Sequence, residues 1–180
     1  MEPGTLPEIV PGRACGSCAM CCKLPAIPEL QKPLGVWCQH VARGKGCSIY
    51  GDRPASCRSF YCLWMQDRAL GPEWKPDRAK FMLYLQANST NLQVSVDQNF
   101  PNAWMKEPYR AQFMRWAREG AERGRFVFVR VGARVIALLP DGERDLGPVA
   151  QEDDIQVSRR MSAAGFEYAV EVVRRSHASA

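Results

Sequence analysis

Residues 15–22 read C-G-S-C-A-M-C-C, and Cys38, Cys47, Cys57 and Cys62 follow before Trp64. All eight cysteines of the 180-residue chain lie in this stretch, and Met65 to Ala180 carries none. Cysteine this concentrated points to redox chemistry or to metal ligation. An even cysteine count in a small secreted chain reads as a disulfide framework. The opening residues MEPGTLPEIVPGRA have no basic start followed by an apolar run, so a signal peptide is not expected. A chain of this length also needs no disulfides to fold. The expected compartment is the bacterial cytosol, where thiols stay reduced, and the expected chemistry is metal binding.

Thiolates are soft ligands that select Zn²⁺ or iron–sulfur clusters. Cys15, Cys18 and Cys21 are spaced C-x₂-C-x₂-C. That spacing suits structural zinc, whose ligand pairs stand two to four residues apart. It suits equally the cysteine run of bacterial ferredoxins, although Cys22 and then Lys23 follow at once. Cys21 and Cys22 are neighbours, and neighbouring side chains diverge by about 100° on a helix. They are expected to face two metals or to sit on one polynuclear cluster. The candidate ligands are Cys15, Cys18, Cys21, Cys22, Cys38, Cys47, Cys57 and Cys62, with His40 of W-C-Q-H as a ninth. The expected cofactor is two or more Zn²⁺ ions or an iron–sulfur cluster, with the pairing of the ligands open. His177 is read as uninvolved. Arg13, Lys23, Arg43, Lys45, Arg53 and Arg58 are candidates to offset sulfur charge, Arg53 and Arg58 foremost.

The run C-x₂-C-x₂-C-C, then K-P-x-G-x-x-C-x-H, then G-C-x-I-Y-x-x-R-P-x-x-C-R-x-F-x-C, resembles the YkgJ-type cysteine-cluster family. That family is described as a zinc- or iron-chelating domain, some members being labelled Fe–S oxidoreductases, and flagellin lysine N-methylase is a relative. The resemblance covers residues 15–64 and implies metal chelation by the eight cysteines.

Outward from this module, residues 1–14 read as an irregular arm, with prolines at positions 3, 7 and 11. Within 15–64, one short helix is expected from Ser17 through Cys22. Another is expected from Pro54, with Cys57 near its start and Cys62 one to two turns on. Residues 65–79 form a connector. In 80–180, F-M-L-Y-L-Q and L-Q-V-S-V-D predict a hairpin, the second arm with one buried and one wet face. Tyr109, Phe113, Trp116 and Ala117 predict an amphipathic helix over 108–123, stopped at Gly124. Phe126–Val131 and Arg134–Leu139 flank a turn at Gly132-Ala133. Residues 151–163 are read as a short helix with an acidic start, and Phe166–Val173 as a last strand. The fold class is α+β: a metal-stapled cysteine-rich module followed by a small antiparallel sheet with one or two helices.

Composition bounds the function. A net charge of +5 is mild and disfavours a dedicated nucleic-acid binder. No stretch approaches the roughly 20 apolar residues of a membrane span. The motifs G-x-S-x-G, H-E-x-x-H and G-x-x-x-x-G-K-[ST] are absent, as is the C-x₃-C-x₂-C of radical enzymes. Glu152, Asp153 and Asp154 read as a helix start, the tryptophans as packing anchors. The arginines at 118, 123, 125, 130 and 134 read as a solvated face. Three functions remain open: a metal-binding protein whose C-terminal part faces a protein partner, an Fe–S protein in electron transfer or protein modification, and a zinc-dependent nucleic-acid adaptor.

Overall fold

The protein's structure is a computed structural model that describes residues 8–42, 44–86, 89–163 and 165–175. Prolines and glycines keep the cysteine-rich half short of regular elements. It holds 3₁₀ turns at Met20–Cys22 and Pro28–Leu30 and a two-residue ribbon, β1 (Val41–Ala42) against β2 (Gly46–Cys47). The helix α1 (Ala55–Ser59) follows with Pro54 as its N-cap residue. Then come α2 (Leu63–Gln66), a 3₁₀ turn at Pro72–Trp74 and α3 (Pro76–Ala79). The helix expected from Ser17 is thus only the turn 20–22. The helix from Pro54 ends at Ser59, so Cys62 is not on it; Cys62 caps α2 instead. The connector is itself a series of short helical turns.

Period-two sequence then takes over. β3 (Phe81–Leu85) and β4 (Leu92–Val96) pair antiparallel, the predicted first hairpin. The amphipathic stretch forms α4 (Tyr109–Ala121), and beyond it Gly124 turns the chain at φ 66°. β5 (Val127–Val131) and β6 (Arg134–Leu139) form the second hairpin around Gly132, at φ 61° in the left-handed region that favours glycine. β7 (Gly142–Pro148) continues from the turn at Pro140–Asp141 and pairs with β6 across a register shift at Val135/Ile136.

The five strands run in the order β3-β4-β5-β6-β7. The sheet is mixed rather than antiparallel, because β4 and β5 are parallel. The connection between them, residues 97–126, is far too long for a hairpin and contains α4. A parallel pair needs a crossover of this kind.

The crossover also explains why β4 has no wet face. On one side Phe81, Leu83, Val94, Val96, Val127, Val129 and Leu138 pack with Trp74, Phe113 and Ala117. The Trp74 ring meets Phe81, Tyr109, Phe113 and Trp116 within 6.0 Å between centroids. On the other side the sheet is covered by two elements. Met82 packs with Met20 and Leu24 of the cysteine module. Phe128, Val135, Ala137 and Leu139 are covered by a second ribbon. That ribbon is β8 (Asp154–Ser162) against β9 (Gly165–Val173), paired antiparallel over nine positions. Residues 151–163 therefore do not form the expected helix. Ile155 and Val157 alternate with Gln156 and Ser158, a strand period that the acidic start obscured. β9 is the predicted last strand, with Tyr168, Val170 and Val172 facing the core while Phe166 stays exposed.

Gln93 and Ser95 are consequently buried. The Gln93 amide donates to the Phe128 carbonyl at 3.1 Å, which limits the cost of burying it. At the end of β4, Asp97 is 4 % exposed and pairs with Lys23, 6 % exposed, at 2.5 Å. This pair joins the cysteine module to the sheet. Removing one partner of a buried pair leaves an uncompensated charge and costs about 3–5 kcal/mol. Lys23→Met is expected to lose that much in urea unfolding; a loss below about 1 kcal/mol would show that the pair does not anchor the module.

Candidate metal centre

Local turns bring the cysteines to one place. The Cys18 amide donates to the Cys15 carbonyl at 2.9 Å, and the Cys22 amide to the Ala19 carbonyl at 2.9 Å. The Cys38 amide donates to the Cys22 carbonyl at 2.8 Å, which sets Cys38 beside the first cluster. Val41 then donates to Cys38 at 3.1 Å and pairs with Cys47 across the β1–β2 ribbon. α1 carries Cys57, and the Ser56 amide at its start donates to the Glu29 carboxylate at 3.3 Å. Cys18, Cys21 and Cys62 pack with Phe60 against Met20, Leu24 and Met82. Phe60 in turn meets Tyr84 of β3 edge-on at 5.7 Å.

The result is a cavity of about 490 Å³. Cys15, Cys18, Cys21, Cys22, Cys38, Cys47, Cys57 and His40 line it, together with Lys45, Arg53 and Phe60. Of the nine sequence candidates only Cys62 is outside the lining; it sits behind Cys18 and Cys21 in the apolar layer. All eight cysteines are free thiols. Among the described residues no three His, Cys, Asp or Glu side chains form a closed group able to hold a metal ion. The thiols line a wall without closing on one point. The case for a metal rests on the donor set and on the charge around it.

Burial pushes the Cys15, Cys18, Cys57 and Cys62 thiols up, Cys62 to about 11. Buried thiols stay protonated until a cation or donor pays for their charge. The side chains of neighbouring Cys21 and Cys22 act on each other's charge. That interaction raises the Cys21 thiol, as burial also does, and lowers the Cys22 thiol. Lys32 and Arg53 also favour the Cys22 thiolate.

Lys32, the lysine of the K-P-x-G-x-x-C-x-H run, was not among the residues read as counter-charges. It is 6 % exposed, and its ammonium donates to the Lys23, Pro25 and Pro33 carbonyls. Among the described residues no carboxylate pairs with it. Burial lowers its pKa, and the Cys38, Cys22, Cys21 and Cys57 sulfurs oppose that shift. A buried ammonium costs several kcal/mol unless anions compensate it. The anion-forming groups beside this one are thiols. The motif marks its position but not its burial, which is set by the carbonyls of residues 23, 25 and 33 closing around its ammonium.

The expected counter-charges divide. Arg53 lines the cavity and lies over the Tyr50 ring at 3.7 Å. Lys45 also lines it. Arg58 points to solvent. Lys23 is committed to Asp97. Arg13 donates to the carbonyls of Trp64, Asp67 and Leu70 and so ties the N-terminal arm to residues 64–70. Arg43 and His177 lie outside the described residues. Elsewhere, Arg130 is half-buried and donates to the Val149 carbonyl at 2.7 Å, so it does not belong to a solvated arginine face. Trp37 is 46 % exposed and packs only loosely, near Lys23.

No family model, no curated protein and no solved structure matches the chain. No helix among the described residues is long and apolar enough to cross a membrane.

The opposite shifts of Cys21 and Cys22 set an order of reactivity. In the reduced, metal-free protein near neutral pH, iodoacetamide should label Cys22 ahead of Cys21 and Cys62, because the thiolate is the nucleophile. Peptide mass spectrometry reads the order. Labelling of Cys21 before Cys22 would reverse the directions assigned to the pair, and labelling of Cys62 first would show that burial does not hold its thiol protonated.

Proposed function

We propose that this chain is a metal-binding cysteine-cluster protein of the bacterial cytosol. The metal is zinc or iron, held by Cys15, Cys18, Cys21, Cys22, Cys38, Cys47, Cys57 and Cys62, with His40 a ninth donor on the same wall. The observation that carries this reading is the convergence of seven cysteines and His40 on one cavity beside a buried lysine without a carboxylate partner. The resemblance of residues 15–64 to the YkgJ-type family supports it. A bound cation would draw the thiols to thiolates and so give Lys32 and Arg53 their counter-charge. The metal's role is structural. Residues 15–64 contain little regular structure, and metal bonds would substitute for the core that such a segment lacks. The α+β part then offers a surface to a protein partner.

One observation favours a second reading, an iron–sulfur protein in electron transfer or protein modification. The cavity is many times the roughly 30 Å³ share of one water, room for a polynuclear cluster. The nucleic-acid adaptor has no comparable support.

Anaerobic purification with elemental analysis separates the readings. Zinc or iron is expected at about one or more per chain, colourless for zinc and brown for iron. A metal-free protein whose eight thiols all titrate in the folded state would refute the function. Cys21→Ser and Cys22→Ser should each lower metal content; full retention in either variant removes that cysteine from the ligand set. Chelation should open residues 15–64 to protease before the sheet, read by mapping the first cleavage sites.

A further inference from the structure

We infer that the outer edge of β8 is an interface between two copies of this chain, which pair antiparallel across a two-fold axis at Ser158. No bound metal is needed for this contact.

The backbone sets which groups face outward. β8 and β9 pair antiparallel over nine-residue strands. Such a ladder alternates between pairs that exchange both hydrogen bonds and pairs whose backbone groups point away from each other. The Tyr168 amide donates outward to the Asp141 carboxylate at 3.4 Å, so Tyr168 and the opposite Arg159 form a pair of the second kind. By the same alternation Ile155, Val157, Arg159 and Met161 turn their N–H and C=O groups to the outer edge of β8. Among the described residues none of these groups bonds to another strand or loop.

Proteins blunt free strand edges with charge, proline or bulges. β7 does so with Glu143, Arg144, Asp145, Pro148 and its register shift. The edge of β9 is met by Asp141. β8 has no proline, and both arginines near its far end turn away from the edge. Arg159 lies over the Phe166 ring at 5.0 Å, and Arg160 pairs with Glu167 at 2.9 Å. Both partners belong to β9, so the outer edge of β8 stays unguarded.

The apolar face of the ribbon also outruns the sheet beneath it. Ile155, Val157, Tyr168, Val170 and Val172 cover the core, and the same face continues to Met161 and Phe166, which are 67 % and 47 % exposed. A second β8, antiparallel about Ser158, sets Met161 opposite the partner's Ile155, Arg159 opposite the partner's Val157 and Arg160 opposite the partner's Gln156. Apolar side chains then meet and like charges do not. An axis at Val157 would put Met161 opposite the partner's Asp153, and an axis at Arg159 would put two arginines face to face. The face pattern therefore selects the axis at Ser158, in a contact that is self-complementary, as a two-fold interface requires.

Sedimentation equilibrium of the reduced full-length chain should give a mass that rises with concentration from 20.2 kDa toward twice that value. Amide hydrogen exchange followed by NMR should slow at Ile155, Val157, Arg159 and Met161 as the dimer forms, while Gln156, Ser158 and Arg160 are protected at every concentration. A monomer throughout, or association without that protection, overturns the interface. Arg159→Pro removes an outward N–H and spares the β9 ladder, so it should be monomeric with its circular dichroism retained. Should that variant fail to fold, Met161→Asp supplies the same answer: it changes a side chain exposed in the single chain and should weaken self-association about tenfold. Self-association of a folded variant at wild-type strength overturns the assignment.

Discussion

The Lys23–Asp97 pair is the joint on which the architecture depends. Lys23 directly follows Cys22, and Asp97 closes β4, the strand in the middle of the hairpin–crossover unit. Both groups are buried, so neither is tolerable without the other. The pair therefore fixes where the cysteine turn sits on the sheet. Met20 and Leu24, on either side, add apolar contact with Met82. A module with almost no regular structure is held on the sheet by a charge pair, a small apolar patch, the Phe60–Tyr84 contact and the packing of Leu63 and Trp64 on the main core.

The cavity presents a problem of charge. It gathers thiols whose burial favours the neutral form, and it places the buried Lys32 and the cationic Arg53 beside them. Without anions this arrangement is costly. With thiolates bound to a metal it is balanced, since several sulfur charges exceed that of one divalent ion. The donation of three carbonyls to Lys32 orients the ammonium but supplies only partial negative charge. The same balance explains why Lys23 cannot serve the sulfurs: its charge is already spoken for by Asp97.

Much of the fold was readable from periodicity. The β3–β4 and β5–β6 hairpins, α4 and β9 follow from alternation, three- and four-residue spacing and turn glycines. The failures have physical causes. The parallel pairing of β4 with β5 is invisible in either strand and appears only in the length of the link between them. The burial of Gln93 and Ser95 comes from layers contributed by residues far away in sequence. β8 was obscured because an acidic start resembles a helix N-terminus, although Ile155 and Val157 alternate as a strand requires. β7 is a polar edge strand with almost no apolar alternation, and charged edges of that kind read as loop.

The sequence by itself determined which atoms are available for chemistry: eight thiols crowded into one quarter of the chain, a histidine beside one of them, and no other constellation. Spacing and side-chain chemistry are local, so they survive without coordinates. Only the tertiary structure decided who is next to whom. It set Cys62 behind Cys18, led Cys38 and Cys47 back to Cys22, committed Lys23 to Asp97 and Arg13 to backbone carbonyls, and buried Lys32 against the sulfurs. Those outcomes depend on loops closing across long separations and on the cost of buried charge, and neither is written in any short stretch of residues.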